Sequence, residues 1–492
     1  MQRLAIVLAV IAPCAPSLGC RRPDPGPDLQ IVDEATIIRR DEPVPAVSPW
    51  FDGARVRIVA AKGETIGLQI LHRAPGPVSM SVTGATVAGF DAAPAQVVRP
   101  STALYGGSRG AGAYPDGLVR AARDAPSSDP AYFELVASAS GTGTLIAGGR
   151  TVPVELTVVD VELPPLPRTV WAYEDPRELV WAGNVAGEGA APSSAERQCI
   201  ELFARHGVLL SPDLSPEGWA ARRAQFEGVR DVPVIIPEDP ALAGAAVTAW
   251  LAAIPKESGH APFAIPIDEP RTPEARAKVR ALADAVRAAN DGRFHLAVTD
   301  APDPAYGDRI DLYVSWRAAH REGDRYARWT YNGAPPYAGS MVVDAAAPGL
   351  RTWGWIAWRW QIPIWYAWDA LYWHDRHNRK GAPLPGPVIR ESDAISFDDG
   401  EDHGNRDGVL ALPTPGGCAP TLRLAALRRG LQDRQLLERA ATCKPKETAD
   451  LAARLVPRAL GDAGTAASWP SDPAAWEAAR REVLALAASC PR

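Results

Sequence analysis

The chain has 492 residues, too many for one ordinary domain, and carries a formal net charge of −6 with no basic block, which argues against a nucleic-acid partner. Proline (48) and glycine (42) are spread along the chain rather than gathered into one tract, so the composition is that of a loop-rich globular protein and not a disordered one.

Residues 1–20 read as a targeting segment. Arg3 supplies the positive start, and 4–12 is an apolar run too short to span a bilayer as a stable helix. The run ends at Ser17-Leu18-Gly19-Cys20, which resembles a bacterial lipoprotein signal. That resemblance implies that Cys20 is lipidated and that the chain is exported and held at the envelope by its lipid alone. A plain secretory signal is the alternative. Residues 21–29 are proline-rich and read as a tether. Export would place Cys199, Cys418, Cys443 and Cys490 in an oxidising compartment. Cys418 can pair with Cys443, or Cys443 with Cys490, and spacing does not choose among the connectivities. Cys199 sits on an apolar helical face, which favours a buried free thiol.

Residues 30–163 are predicted to be a β-sandwich. Segments 55–60, 65–71, 78–82, 132–136 and 152–159 alternate or run as strands between turn residues. Residues 97–128 read as a long insertion with Gly106-Gly107 and Tyr114-Pro115-Asp116-Gly117. Leu163-Pro164-Pro165-Leu166-Pro167 is a stiff linker and marks a domain boundary.

From 169 to 415 strands alternate with helices, which implies a parallel sheet; this length favours a closed (β/α)8 barrel of the TIM type. Ser193-Ser194-Ala195-Glu196 opens a helix as a capping box, and Gly207 stops it. Strands are predicted at 170–173, 208–211, 232–236, 263–267, 295–299 and 311–315, with helices at 217–226 and 240–254 between them. Thr272 and Pro273 begin a helix with Val279, Leu282 and Val286 on its apolar side. Residues 351–373 are the aromatic centre of the chain. Residues 416–492 form a helical extension whose first helix carries Leu422, Leu424, Leu427 and Leu431. No GxGxxG or GxxxxGK[ST] lies at a strand end, and no cofactor is expected.

The fourth barrel strand runs into two adjacent acids, Ile267-Asp268-Glu269-Pro270. Carboxylates at the C-terminal end of a barrel strand stand at the mouth where barrel chemistry is done. An acid beside a helix start also favours the helix dipole with no catalytic part. Cleaving a glycosidic bond needs one acid to protonate the leaving oxygen and something to stabilise charge at the anomeric carbon. Sugars with a 2-acetamido group use their own amide oxygen as nucleophile, and a carboxylate then orients the amide. Two neighbouring acids can divide these jobs, one kept protonated in an apolar setting and one ionised in a polar one.

The order of motifs strengthens this reading. Ile267-Asp268-Glu269-Pro270 is followed by Arg351-Thr352-Trp353-Gly354-Trp355, by Leu371-Tyr372-Trp373 and by a helix around Leu422-Arg423-Leu424…Leu431-Gln432-Asp433. With Val59-Ala60-Ala61-Lys62-Gly63-Glu64-Thr65 upstream, the pattern resembles glycoside hydrolase family 123 and the related DUF4091 proteins. The resemblance covers nearly the whole mature chain. It implies β-N-acetylgalactosaminidase-like activity by substrate-assisted retaining catalysis. Asp268 would orient the acetamido group and Glu269 would be the general acid/base. Gln435 stands where the family's closing helix carries a second acid, and Trp365–Trp373 departs from the family's run.

Sugars present apolar C–H faces, so aromatic side chains suit them. Trp316, Trp329, Tyr331, Trp355, Trp358 and Trp373 are the candidates, a minority of which should line the site while the rest fill the core. Tyr331 is the first choice for bonding the substrate amide and Trp316 for a stacking wall. Arg351 binds a sugar hydroxyl or forms a structural ion pair. His374-Asp375-Arg376-His377 and residues 398–403 have no closed set of metal ligands and read as solvated loops. Two other functional classes stay open: a catalytically silent glycan-binding lipoprotein, and a structural envelope protein that binds no sugar.

Overall fold

The structure, a computed structural model, describes residues 27–39, 41–121, 130–167, 170–171, 192–212, 214–315, 327–368, 370–373, 395–398, 400–460 and 468–491. The targeting segment with Cys20, most of the tether, Trp316 and residues 374–377 lie outside the described residues.

Nine strands open the fold: β1 (Leu29–Asp33), β2 (Val56–Ala61), β3 (Thr65–His72), β4 (Ser79–Val82), β5 (Ala85–Val97), β6 (Gly112–Arg120), β7 (Ala131–Ala137), β8 (Gly141–Ala147) and β9 (Arg150–Val159). They form a five-stranded sheet in the order β1-β3-β7-β5-β6 and a four-stranded one in the order β2-β9-β8-β4. Period-two alternation buries one face of each. Ile31, Leu68 and Phe133 from the first meet Ile58, Leu145 and Val154 from the second in a single apolar cluster.

Two sequence expectations change here. Residues 97–128 are not all insertion, because β6 pairs antiparallel with β5 through a register shift between Ala93 and Pro94. Its proline, glycine and Asp116 disguise it as a turn. β1 begins at Leu29, the last residue assigned to the tether, and pairs with β3.

Eight short parallel strands follow: β10 (Val170–Trp171), β11 (Val208–Leu209), β12 (Asp231–Pro233), β13 (Ala261–Ala264), β14 (His295–Val298), β15 (Leu312–Val314), β16 (Ala327–Tyr331) and β17 (Ile364–Tyr366). β10 pairs with β11, and β12 to β17 form a six-stranded sheet in sequence order. β17 also lies against β10, so the sheet curls as in a TIM-like domain. Helices α1 (Ser194–Arg205), α2 (Pro216–Arg222), α3 (Pro240–Ala253), α4 (Pro273–Ala289) and α5 (Thr352–Arg359) lie between strands. α4 starts as its sequence dictates: Thr272 accepts the Ala275 N–H at 3.1 Å and Pro273 takes the first turn. β13 is shorter than expected and stops at Ala264, since Pro266 has no N–H to continue the ladder. Residues 265–267 then carry the chain onward to the acids.

The C-terminal helices are α6 (Leu422–Ala441), α7 (Pro445–Leu455) and α8 (Pro473–Ala488). α6 is buried along most of its length, arginines included. It crosses α5 at a close approach where a Cβ on Gly354 would stand 1.8 Å from the Gly430 carbonyl oxygen. Its charges are paired inside the molecule. Arg423 meets Asp116 of β6 at 2.9 Å, Arg428 meets Glu134 of β7 at 3.0 Å, and Arg429 meets Glu64 at 2.9 Å. α6 therefore bolts the N-terminal sheets to the helical part.

Cys199 is a correction. It is buried, as expected, but bonded to Cys418, with Cα atoms 5.2 Å apart. α1 packs on the strand Gly417–Pro420, which brings together two thiols 219 residues apart in sequence. The second disulfide joins Cys443 to Cys490 and ties the end of α6 to the end of α8.

Candidate active site

Asp268 and Glu269 stand just past β13, at the end of the sheet where the C-termini of the parallel strands emerge. Asp268 is exposed and Glu269 half-buried. Glu269 has φ of +40°, a left-handed conformation that a non-glycine residue holds only when its surroundings enforce it. The enforcing group is Thr299, just past β14. Its hydroxyl accepts the Glu269 N–H at 2.6 Å and donates to Asp268 Oδ1 at 2.6 Å. One hydroxyl thus fixes the backbone of one acid and the side chain of the other.

Tyr331, the last residue of β16, donates its hydroxyl to Glu269 Oε1 at 2.7 Å. Burial, and then the Glu269 carboxylate, hold its phenol well above the ordinary tyrosine range, so it remains a donor at working pH. On its outer side Glu269 Oε2 is paired with the exposed guanidinium of Arg271. Asn332, with φ of +50°, follows Tyr331 and clamps the next strand. Its N–H donates to the Tyr366 carbonyl at 2.8 Å and its Oδ1 accepts the Trp368 N–H at 3.1 Å.

Among the aromatic candidates, Tyr331 alone is seen in contact with the acid pair among the described residues. Trp329 is 2% exposed and meets Phe263 edge-on at 4.8 Å, in the core of the curled sheet. Trp355 and Trp373 are core residues: their indole N–H groups bond to Asp433 Oδ2 at 2.9 Å and to the Ala411 carbonyl at 2.8 Å. Trp358 is half-buried on α5, against the cluster shared with the C-terminal helices. Arg351 is wholly buried between Asp33 and Asp433, at 2.9 Å from each, so it forms the structural ion pair and reaches no sugar. Arg351, Trp355 and Trp358 sit on or beside α5, in the cluster shared with the C-terminal helices, where an aromatic run fills space between layers.

Sequence reasoning missed Thr299, Arg271, Asn332 and Trp368. A signal existed for three of them, since Thr299, Asn332 and Trp368 fall within two residues of a parallel strand's C-terminal end.

The cluster offers an exposed carboxylate beside a half-buried carboxyl held by a tyrosine, all on strand ends. That combination can orient a polar group and transfer a proton next to it.

No family model matches the sequence, and no curated protein matches it. Among solved structures, a family 123 glycoside hydrolase from Clostridium perfringens, studied for glycolipid glycan hydrolysis, aligns with a TM-score of 0.63 at 11% identity, covering 93% of this chain and 97% of that one. An FMN-binding β-glucuronidase from Faecalibacterium prausnitzii aligns at a TM-score of 0.31 and 10% identity over 77% of this chain and 60% of its own. Over nearly its whole length, the chain shares its fold with a family 123 glycoside hydrolase.

Proposed function

We propose that this chain is an exported glycoside hydrolase that cleaves β-linked 2-acetamido sugars, in the manner of a β-N-acetylgalactosaminidase, by substrate-assisted retaining catalysis. The carrying observation is the hydrogen-bonded chain Asp268–Thr299–Glu269–Tyr331 at the strand ends. The shared fold supports the same reading, with an N-terminal β-sandwich and an eight-stranded barrel.

In the first step the substrate's acetamido oxygen bonds to the anomeric carbon while the bond to the leaving oxygen breaks. The leaving oxygen takes its proton from Glu269. Asp268 accepts from the amide N–H and balances the positive charge growing on the oxazolinium-like intermediate. In the second step Glu269, now a carboxylate, takes a proton from water as that water attacks the same carbon and the amide is restored. Tyr331 holds Oε1 throughout, and the leaving oxygen must displace Arg271 from Oε2.

The assay is turnover of 4-nitrophenyl β-N-acetylgalactosaminide and of its N-acetylglucosamine epimer by wild type, Glu269→Gln and Asp268→Asn. Loss of at least a hundredfold in both variants supports the mechanism. A wild type that binds these sugars and does not cleave them favours a silent glycan-binding protein, a reading that Arg271 on the proposed acid makes reasonable. A glycan array without signal favours a structural envelope protein. Export with lipidation at Cys20 belongs to the same proposal and is supported by the two disulfides. It predicts palmitate incorporation that Cys20→Ala abolishes.

A further inference from the structure

The N-terminal sheets reach the mouth of the barrel. The turn Ala103–Tyr105, between β5 and β6, is fastened to the hairpin made by Ile395–Asp398 and His403–Asn405. Thr102 Oγ1 donates to Asp402 Oδ1 at 2.7 Å, and His403 Nε2 lies 2.6 Å from the Pro100 carbonyl oxygen. Gly404 is close enough to the Tyr105 ring that a Cβ there would stand 3.1 Å from it. On its other side the turn abuts the loop after Asn332: a Cβ on Gly106 would stand 2.3 Å from Pro335 Cδ. The turn is a built feature and not a loose insertion.

Three half-exposed rings run from that turn to the strand-end rim beside Tyr331. Trp368 follows β17 on the same rim as Glu269, because β17 runs beside β16, Tyr366 is paired with Tyr331, and the Trp368 N–H is held by Asn332. Along β17, Trp365 faces the core, stacked on Trp353 at 4.6 Å, while Ile364 and Tyr366 pack with the barrel interior. Beyond the end of the strand, Trp368 stays half-exposed at this rim, packed with Phe397 against the edge of the cluster that holds Trp353 and Trp365. Phe397 meets Trp368 edge-on at 6.0 Å, and Tyr105 meets Phe397 edge-on at 6.4 Å. Leu104 is 47% exposed beside Tyr105. Tyr372 lies against Trp368 at 4.3 Å, and Asp407 bonds to the Trp368 side chain, so the first ring is held on two sides.

We infer that Trp368, Phe397 and Tyr105 form a strip of aromatic platforms that carries the sugar units on the leaving-group side of the cleaved bond, so that the preferred substrate is an extended oligosaccharide rather than a simple glycoside. Sugar rings offer apolar C–H faces to such a strip, and its end at the rim beside Tyr331 puts the chain in line for cleavage. The inference rests on the glycan-active reading above, and its test separates the two.

The experiment compares kcat/KM on an oligosaccharide ending in a β-linked 2-acetamido sugar with kcat/KM on the 4-nitrophenyl glycoside of that sugar, for wild type, Tyr105→Ala and Tyr105→Phe. The ratio should fall about tenfold in Tyr105→Ala, the size of one ring contact, and stay at the wild-type value in Tyr105→Phe. An unchanged ratio in Tyr105→Ala overturns the strip even while hydrolysis continues. If wild type cleaves neither substrate, hydrolysis fails, and oligosaccharide binding by calorimetry takes over as the readout. Weakening of about tenfold in Tyr105→Ala alone then upholds the strip. Equal binding by all three proteins, or no binding, overturns it.

Discussion

The hydroxyl of Tyr331 donates to Glu269 Oε1 at 2.7 Å across 62 residues of sequence, joining the ends of β16 and β13. Since burial and the neighbouring carboxylate keep the phenol protonated, it holds the acid by one oxygen over the whole working range. Tyr331→Phe should lower kcat/KM about tenfold on the nitrophenyl glycoside, with the loss mainly in kcat. An alkaline limb in the pH profile, if present, should persist in this variant, because Tyr331 does not ionise there. Wild-type kinetics in Tyr331→Phe would show that Glu269 does not depend on this bond.

Thr299 presents a sharper case, because its one oxygen serves both acids. Thr299→Val keeps the shape but leaves the Glu269 N–H without its acceptor, in a left-handed backbone that costs free energy to hold. The expected result is a loss of stability of about 1 kcal/mol together with a tenfold or greater fall in kcat. Thr299→Ser retains the hydroxyl and should recover most activity. If Val and Ser behave alike in kcat, the hydroxyl is not a positioning group.

The acids were legible in the sequence for a local reason: strand, proline, carboxylates, cap and helix follow one another within a dozen residues, and each signal is short-range. The β13–α4 unit obeyed them. What failed was long-range. Arg423, Arg428 and Arg429 of α6 are each buried against an acid from the N-terminal part of the chain or α8, partners that lie far away in sequence. For Arg351 a sugar contact and a structural ion pair both stayed open, because the partners that decide it, Asp33 and Asp433, are distant in sequence. Most of the aromatic candidates were expected in the core, where Trp355 and Trp373 lie, but composition cannot tell which ring is a platform and which belongs to a packed layer. Trp368 packs against the same cluster as Trp365, but two residues past the strand end it stays half-exposed.

The position of Arg351 makes a prediction opposite to a binding role. Arg351→Met leaves Asp33 and Asp433 short of a cation in the interior, which should cost roughly 3–5 kcal/mol and lower the melting temperature accordingly. Below that temperature, glycan affinity should equal the wild type's. Selective loss of sugar binding with an unchanged melting curve would return Arg351 to the site.

Glu34 supplies a pH dependence whose sign can be worked out. It follows β1, is 1% exposed, and neither carboxyl oxygen has a hydrogen-bond partner among the described residues. It borders a cavity of about 20 Å³, together with Ser340, Pro348, Leu350 and Arg423, which is room for one water. Burial pushes its pKa up to about 7, against an opposing pull from Arg429 and Arg428 and with a further push from Asp33. The folded state therefore binds this proton more tightly than the unfolded chain, whose carboxyl has a pKa near 4.5. The stability Glu34 contributes is fully present below pH 4.5 and is lost as pH rises through 7. Glu34→Gln keeps the shape and removes the titration. Relative to wild type it should gain stability as pH rises from 4.5 to 7, by up to roughly 3 kcal/mol above pH 7. Denaturant midpoints of the two proteins at pH 5 and pH 8 decide the matter. A gap that stays constant between the two pH values means that Glu34 is already ionised in the fold and that the interior arginines, rather than protonation, neutralise it.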